Sequence, residues 1–376
     1  MRVLIVHPGI YVYGGAELVI VKLSNYMTNR GIENALLTTC MLPEMEKDLS
    51  GTEIIIQKKR RYPLEISGFN ELIALNRGAT SRLNDFDVVN VHNCPAEFST
   101  FPYHRPTIWM CNEPLLYLSL ELKSSQIPKL IKEPLLSFDK FLVKYFLRHA
   151  VVADEFNAKR FQKIYGFRPK IIPYGIDYEF FSKGNGKKGL EKFDLFDNFV
   201  VLQVGVLNPF KNQIESIKTI EKLRNKIPKI KLLLVGRGES EKPVLERYVR
   251  DRGLEKNVIF TEHLDRDLVR ELYHACHVLL HPIKPQGGWL APFEALCAGK
   301  PIVVSTEMTA SDIIRREEIG VVTDDFPGVV WDIYKNPDKY SEMAKKGETW
   351  VKKNLSWERF CERMVDLFYE AMEEMG

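Results

Sequence analysis

Lys211 is a basic side chain at a position where a helix is expected to begin. It ends the phrase V-G-V-L-N-P-F-K, residues 204–211, which follows a short apolar run. The dipole of a helix favours negative charge at its N-terminus, so a lysine there is unfavourable unless an anion binds between the two. We therefore interpret Lys211 as a candidate anion ligand, with a solvated surface lysine as the alternative.

Glu294 lies in a second candidate segment, P-Q-G-G-W-L-A-P-F-E-A-L-C-A-G-K-P, at residues 285–301. The pattern predicts a short helix with a proline near its start and Gly299 at its end. We expect Glu294 in the first turn, where its two oxygens could accept hydrogen bonds from a vicinal diol such as a ribose. Complementarity to the helix dipole is the alternative. Glycines and the first N–H groups of this helix could hold a phosphate. These candidates are Gly287, Gly288, Trp289 and Leu290.

Two more glycine-containing turns follow apolar runs. Gly14 and Gly15 precede a predicted helix in H-P-G-I-Y-V-Y-G-G-A-E, residues 7–17, and glycine lets backbone N–H groups approach a ligand closely. Arg237 lies between two glycines in V-G-R-G-E, residues 235–239. The carboxyl end of a parallel strand is where α/β domains bind ligands. Plain β–α turns are the alternative at both places.

The elements that must position these residues are short apolar runs alternating with helix-length segments. The runs lie at residues 3–6, 35–38, 54–56, 88–91, 108–110, 151–153, 171–173, 200–204, 231–235, 258–260, 278–280, 302–304 and 321–323. Continuous apolar runs are typical of strands covered on both faces. The β–α repetition therefore predicts an α/β fold with parallel, doubly wound sheets.

The chain is long enough for two such domains, at 376 residues. The small, basic, glycine-rich run S-K-G-N-G-K-K-G at residues 182–189 is typical of a linker. We therefore predict domains at 1–182 and 190–355. The last segment, 356–376, predicts an amphipathic helix, because Phe360, Met364, Leu367, Phe368 and Met372 share one face.

Composition excludes several classes of protein. The net charge of +3 is too small for a nucleic-acid-binding face. No apolar run reaches the roughly 18 residues of a membrane helix, and the N-terminus lacks a signal peptide, so a cytoplasmic location is expected. The six cysteines form no CxxC pair and predict neither a disulfide framework nor a zinc site.

Three motifs suggest other chemistry by residue type alone. The G-x-G-x-x-G at 184–189 lies in the lysine-rich run, whereas a dinucleotide motif lies between a strand and a helix. His274, Cys276, His277 and His281 flank a predicted strand, which argues against zinc. Asp265 or Asp267 is expected to cap the helix that follows. We therefore expect no metal site.

In their order along the chain, these phrases resemble glycosyltransferase family 4, which comprises retaining enzymes of the GT-B fold. Other family-typical phrases are V-H-N at 91–93, C-N-E-P at 111–114, V-V-A-D-E-F-N at 151–157 and I-I-P-Y-G-I-D at 171–177. The resemblance implies two Rossmann-like domains facing each other across a cleft. It also implies that the C-terminal helix returns to the first domain.

The same resemblance implies roles for individual residues. Lys211 would hold the donor diphosphate, and Glu294 would bind the ribose as the second glutamate of the family's E-x7-E motif. His92, from the first domain, would face the donor sugar. The residues at 287–290 would face the sugar and phosphates, and Gly14 and Gly15 would approach the phosphates.

Two departures from the family pattern stand out. The first glutamate of E-x7-E is replaced by Gln286, which can bond a sugar hydroxyl but carries no charge. Val206 occupies the position of the family's usual arginine, and we expect Arg237 to substitute for it. Because of these departures, another hypothesis stays open. The chain could be a sugar-nucleotide-binding homologue whose catalysis is weakened or lost.

The function expected from the resemblance is retaining transfer of a hexose or N-acetylhexosamine. The donor would be a GDP- or UDP-sugar and the acceptor a glycan or a lipid-linked glycan, without a metal or other cofactor. A non-hydrolysing nucleotide-sugar 2-epimerase is the alternative enzyme. Lysines among leucines and phenylalanines at 115–149, with the basic run at 58–61, suggest peripheral association with the inner face of the cell membrane. A helix pair with solvated lysines is the favoured alternative.

Overall fold

The computed structural model describes residues 1–11, 14–59, 69–102, 105–112, 114, 129–147, 149–238, 240–262, 264–285 and 289–374. The chain divides into two compact units, one of residues 1–174 with 357–376 and the other of residues 175–356. The division at residues 174–175 falls earlier than the predicted linker at 182–189. Residues 60–61 of the basic run at 58–61, and residues 115–128 of the segment 115–149, lie outside the described residues.

The first unit is built on a parallel sheet. Its strands are β1 (Arg2–Val6), β2 (Glu33–Thr38), β3 (Glu53–Ile56), β4 (Val88–His92), β5 (Thr107–Met110), β6 (His149–Val152) and β7 (Lys170–Ile171). They lie side by side in the order β3-β2-β1-β4-β5-β6-β7. Along β1, Leu4 and Val6 enter one apolar core while Val3 and Ile5 enter another. Successive side chains of a strand point to opposite faces, so both faces of this sheet are covered.

Helices cover this sheet. They are α1 (Gly15–Asn29), α2 (Pro43–Asp48), α3 (Phe69–Thr80), α4 (Lys129–Phe146) and α5 (Glu155–Tyr165). α5 shows how the sequence sets its ends: the Asp154 side chain accepts a hydrogen bond from the N–H of Asn157, and Gly166 closes the helix at φ 84°. An Asp cap and a left-handed glycine are the expected signals for a helix start and stop.

The second unit has its own parallel sheet. Its strands are β8 (Phe199–Val204), β9 (Ile230–Val235), β10 (Val258–Thr261), β11 (Val278–His281), β12 (Ile302–Val304) and β13 (Val321–Val322). The spatial order is β10-β9-β8-β11-β12-β13. Its helices are α6 (Tyr178–Phe181), α7 (Lys187–Phe193), α8 (Gln213–Leu223), α9 (Lys242–Asp251), α10 (Arg266–Ala275), α11 (Leu290–Cys297), α12 (Ser311–Glu317), α13 (Phe326–Lys335) and α14 (Pro337–Asn354).

The predicted linker is part of the second unit. A side chain at Gly184 would lie 2.3 Å from the His274 ring, and one at Gly186 would lie 2.8 Å from the Ala275 backbone nitrogen. Gly186 also needs its positive φ of 76°. The run is glycine-rich because it lies close against α10, and its interpretation as a linker is wrong.

The C-terminal helix, α15 (Trp357–Glu373), packs on α1 of the first unit. Its apolar face enters the same core as Val3 and Ile5 of β1. The predicted face is confirmed, because Phe360, Met364, Leu367 and Phe368 are buried and Met372 is partly buried. Within the described residues, no helix combines the length and apolarity needed to cross a bilayer.

Candidate active site

The turns after β8 and β9 form one continuous structure. The N–H of Gly205 donates to Val235 O at 2.9 Å, and the N–H of Leu207 donates to Arg237 O at 2.7 Å. Both turns start on glycines with positive φ, 148° at Gly205 and 150° at Gly236. A β-carbon at Gly236 would lie 2.2 Å from Gly205 O. Two glycine turns that the sequence presents separately are thus required together, since only glycine permits this approach.

Lys211 is fixed through its backbone. Asn208 Oδ1 accepts hydrogen bonds from the N–H groups of Phe210 and Lys211, at 3.0 and 2.8 Å. Lys211 O accepts from Gln203 Nε2 at 2.7 Å, and Gln203 Oε1 accepts from Ser216 Oγ at 2.7 Å. Gln203 and Ser216 are buried, so a polar chain inside the unit holds this loop.

The side chain of Lys211 runs past Gly205. A β-carbon there would lie 3.6 Å from Lys211 Cδ. The helix α8 begins at Gln213, two residues later than the sequence suggested for Lys211 itself. Lys211 therefore precedes the helix, and an anion beside it would still face the positive end of α8.

The loop that carries Lys211 is joined to the loop after β11. Asn212 Nδ2 donates to Pro282 O at 2.8 Å, and the N–H of Lys284 donates to Phe210 O at 2.9 Å. β8 and β11 are neighbours in the sheet. Lys211 thus lies beside the segment that leads to α11. The predicted residues Gln286, Gly287 and Gly288 lie outside the described residues.

Trp289 anchors the start of α11. Its side chain is buried and packs on Phe293, with ring centroids 4.6 Å apart. Phe293 in turn packs on Trp350 of α14 at 6.1 Å. Leu290 is the first residue of the helix. The first N–H groups of α11 are therefore held in a fixed place at the carboxyl edge of the sheet.

Glu294 is the fifth residue of α11 and lies in its second turn, not in the first as predicted. The dipole effect falls off within the first turn, so complementarity to the dipole is weak for this acid. Tyr273 of α10 donates its hydroxyl to Glu294 Oε2 at 2.7 Å. Burial raises the pKa of Glu294 to about 7, against the lowering effects of the Tyr273 bond and the Arg266 charge.

Arg237 is exposed and lies on the β9 turn that is bonded to the turn after β8. Val206, at the position of the family's arginine, is also exposed, at 47%. The cationic side chain thus lies one strand away from its usual place, on the neighbouring turn. This arrangement is compatible with the predicted substitution of one for the other.

His92 is the last residue of β4 and is fully buried. Its Nε2 lies 2.7 Å from Asn90 Oδ1. Burial, with a smaller effect of the neighbouring His7, lowers its pKa to about 3, so the ring is neutral. Because β4 is a central strand with both faces covered, this ring does not reach a surface. The placement gives no support to the prediction that His92 contacts a donor sugar.

Gly14 and Gly15 mark the start of α1, as predicted. The N–H of Gly14 donates to Glu17 Oε2 at 2.9 Å, which is half of a capping box. Glu17 Oε1 lies 3.8 Å from His7 Nε2. The N–H of Gly14 is therefore already bonded within the unit, and a ligand that used it would have to displace Glu17.

A polar chain in the first unit was missed by the sequence analysis. Asn93 Nδ2 lies 2.9 Å from His7 Nε2, and Asn93 Oδ1 accepts from Asn112 Nδ2 at 2.7 Å. Tyr174 donates its hydroxyl to Asn112 Oδ1. The signal available in the sequence was a polar residue at the end of each buried strand. His7 follows β1, Asn93 follows β4, and Asn112 lies two residues after β5.

The motifs that suggested other chemistry have structural roles. Asp265 Oδ1 accepts from the N–H of Leu268 at 2.7 Å, which confirms the predicted cap of α10. His274 Nε2 lies 2.8 Å from Phe181 O, and His277 Nδ1 accepts from the N–H of Val200 at 3.0 Å. Among the described residues, no group of three or more His, Cys, Asp or Glu side chains could hold a metal ion.

Two family models match this chain, each over one unit. The model for Glycosyltransferase Family 4 matches residues 13–180, and the model for Glycosyl transferases group 1 matches residues 191–350. Together they span most of the sequence.

The sequence identity to individual relatives is low, but the two matches that follow each cover more than half of this chain. The GDP-mannose-dependent alpha-(1-6)-phosphatidylinositol monomannoside mannosyltransferase of Mycolicibacterium smegmatis is 24% identical over 57% of this chain and 60% of its own length. The O-antigen chain mannosyltransferase C of Escherichia coli is 23% identical over 92% of this chain and 93% of its own. The crystal structure of HepE from Anabaena in complex with UDP-glucose superposes with a TM-score of 0.81 at 16% identity, covering 98% of this chain and all of that one.

Proposed function

Because the chain belongs to the family 4, group 1 glycosyltransferases, with the GT-B fold of two Rossmann-like units, we propose that it is a retaining hexosyltransferase. It moves a hexose or N-acetylhexosamine from a GDP- or UDP-sugar to a glycan or a lipid-linked glycan. The observation that carries the proposal is the joined pair of loops after β8 and β11, which holds Lys211 beside the segment that leads to α11 and Glu294.

The chemical difficulty of the reaction is the departure of a nucleoside diphosphate while positive charge develops on the sugar. Lys211 and the N–H groups at the start of α11 supply fixed positive charge for the departing phosphates. Such preorganised charge is typically the largest contribution to catalysis, and loss of one donor costs on the order of 10²–10³ in rate. Glu294 binds the ribose diol and holds the nucleotide in register.

The relatives support a nucleotide-sugar donor, and they are compatible with either guanine or uracil as its base. One relative is named for GDP-mannose, and a structure with the same fold was determined with UDP-glucose. No metal is needed in the proposed reaction, because Lys211 and the helix N–H groups face the phosphates. Retention would have the acceptor attack on the face that the leaving group vacates.

We propose in addition that α4 rests on an anionic membrane surface, where a lipid-linked acceptor is found. Its outer face exposes Phe138, Phe141 and Tyr145 at helical spacing, with Lys140 and Lys144 beside them. Aromatic rings with flanking lysines are typical of helices that lie in the interface of a bilayer.

Co-sedimentation with vesicles of anionic phospholipid tests this surface. We expect the double variant Phe141→Ser with Tyr145→Ser to lose most of the binding, while Tyr369→Ser, an exposed aromatic on α15, retains it. Equal binding of the wild type to neutral vesicles and to anionic ones, or no binding at all, would remove the proposal.

The transferase itself is tested by donor binding and turnover. Wild-type protein is screened by thermal shift against GDP- and UDP-sugars, since a ligand raises stability by mass action. Lys211→Ala should lower turnover by about 10²-fold or more, and Glu294→Ala should raise the donor Kd by about tenfold. Lys218→Ala, an exposed lysine on α8, is the matched control.

The assignment fails if both variants turn over within threefold of the wild type. Donor binding without transfer or hydrolysis would instead favour a sugar-nucleotide-binding protein that has lost catalysis. Epimerisation of UDP-N-acetylglucosamine without an acceptor would favour the 2-epimerase.

A further inference from the structure

Tyr273 is a fully buried side chain whose hydroxyl is used for one contact. It donates to Glu294 Oε2 at 2.7 Å, and Glu294 Oε1 accepts no hydrogen bond from the described residues. The ring itself packs edge-on against Phe181, with centroids 5.7 Å apart. Among the described residues, the carboxylate is therefore held at one oxygen.

We propose that Tyr273 is a positioning residue that makes Glu294 a selective acceptor for the ribose diol of the donor nucleotide. The inference rests on the proposed function and adds a residue to it. Tyr273 does not touch the ligand. It acts by fixing the rotamer of Glu294 and by donating to the oxygen that the diol does not use.

The position of Tyr273 is set by the glycine run that the sequence analysis mistook for a linker. Gly186 donates its N–H to Glu271 Oε2 at 2.9 Å. A side chain at Gly189 would lie 3.0 Å from Leu272 Cδ2. Asp265 caps the N-terminus of α10, so the helix is held along its length. The position of the Tyr273 hydroxyl is thereby fixed.

The electrostatic surroundings of Glu294 give Tyr273 a second effect. The ionisable groups that face it are Tyr273 and Arg266 on α10, Asp177 before α6 and Cys297 on α11. Burial raises the pKa of Glu294 to about 7, and the bond from Tyr273 is the largest influence in the opposite direction. Because an ionised carboxylate is the better acceptor for a diol, removal of that bond weakens recognition most where the acid protonates.

Binding of UDP and GDP, and of their 2′,3′-dideoxy analogues, tests the proposal. For one base, the Kd of the dideoxy analogue divided by the Kd of the normal diphosphate reports recognition of the diol. Ionisation of the phosphates cancels in this ratio. In the wild type this ratio should rise as pH increases through about 7. In Tyr273→Phe it should be about three- to tenfold smaller at pH 6.5, as expected for one impaired hydrogen bond. The difference should shrink by pH 9.

Tyr340→Phe is the matched control. Tyr340 is buried in the same unit and donates to Asp332 Oδ2 at 2.5 Å, so its replacement removes a comparable tyrosine–carboxylate bond. We expect its dideoxy ratio to equal that of the wild type at every pH. Thermal denaturation of both variants shows whether they fold.

The outcomes separate this inference from the proposed function. If wild-type protein binds neither diphosphate, the donor site itself is wrong. If it binds with a strong preference for the ribose and folded Tyr273→Phe keeps the whole preference at pH 6.5, the positioning role is wrong and the donor site stands. A variant that loses affinity for normal and dideoxy nucleotides equally would also overturn it, because that result indicates a general loss of structure.

Discussion

Glu97 is an acid enclosed in the core of the first unit, and its replacement should change how stability depends on pH. It lies in the short turn Ala96–Phe98, with none of its surface exposed. Its neighbour Asp139, on α4, is also buried and accepts a hydrogen bond from Tyr165 at 2.8 Å. Burial, followed by the charge of Asp139, raises the pKa of Glu97 from 4.5 to about 8, and burial raises that of Asp139 to about 6.

The sign follows from which state binds more protons. A carboxyl whose pKa is higher in the folded protein stabilises it fully below the unfolded pKa, and that contribution is lost as pH rises through the folded value. Between pH 5 and pH 7 the unfolded state has released the proton and Glu97 in the folded state has not. The free energy of unfolding therefore falls by about 1.4 kcal/mol per pH unit, or about 2–3 kcal/mol over the interval from Glu97 alone.

Urea denaturation of wild type and Glu97→Gln at pH 5, 6, 7 and 8 measures this dependence. The difference in unfolding free energy between the two proteins cancels the ionisable groups that do not interact with Glu97. It should change by about 2–3 kcal/mol between pH 5 and pH 7, in favour of the glutamine variant at the higher pH. Glu133→Gln, at an exposed position of α4, should give a constant difference. Parallel curves for Glu97→Gln and wild type would refute the reasoning.

Three further predictions concern the stability of the second unit and whether transfer requires a metal ion. Gly236→Ala should lower the free energy of unfolding by about 2 kcal/mol or more, because its β-carbon would lie 2.2 Å from Gly205 O at a φ of 150°; urea denaturation measures this, and an unchanged midpoint would contradict it. Asp265→Ala should cost about 1 kcal/mol by the same method through loss of the α10 cap, while Asp267→Ala should cost nearly nothing. Transfer should proceed at an unchanged rate in EDTA, and an activity restored only by a divalent cation would show that the phosphates need a metal.

The fold could be predicted because its strands are recognisable in the sequence as short apolar runs. Each of the thirteen apolar runs corresponds to a strand of the two sheets, with ends that differ by at most two residues. A strand covered on both faces is mostly apolar, so its pattern can be read without knowledge of its neighbours, even where one polar residue such as Asn90 or Gln203 lies within it. The boundary between units was not predictable from composition, because a glycine needed for flexibility and one needed for close packing, such as Gly186, look alike in a sequence.

The sequence suggested candidate site residues but not the contacts among them. Lys211 was proposed from a local conflict with helix electrostatics, and Glu294 from its place in the glycine-rich segment at 285–301. The joining of the Lys211 loop to Pro282, and the bond from Tyr273 to Glu294, connect residues 70 and 21 positions apart. For His92 the sequence leaves the placement open, because a reactive residue type at a strand end says nothing of whether its ring reaches the surface.

The order of the strands explains why the polar residues collect where they do. In the second unit, β8 to β10 run to one side of the sheet and β11 to β13 to the other, so the direction reverses between β8 and β11. At such a reversal the loops after the two adjacent strands leave toward opposite faces and open a crevice at their carboxyl ends. Lys211 and the approach to α11 lie at that reversal.

The first unit has the same device, since its order reverses between β1 and β4. His7 follows β1 and Asn93 follows β4, and their side chains meet at 2.9 Å across that point. Asn93 also carries a positive φ of 56°, a conformation that a non-glycine residue adopts at some cost. The two units are unrelated in their local residues, yet each concentrates polar groups at its own reversal. Topology therefore fixes where chemistry can occur in each sheet, and the local sequence decides only which groups are present there.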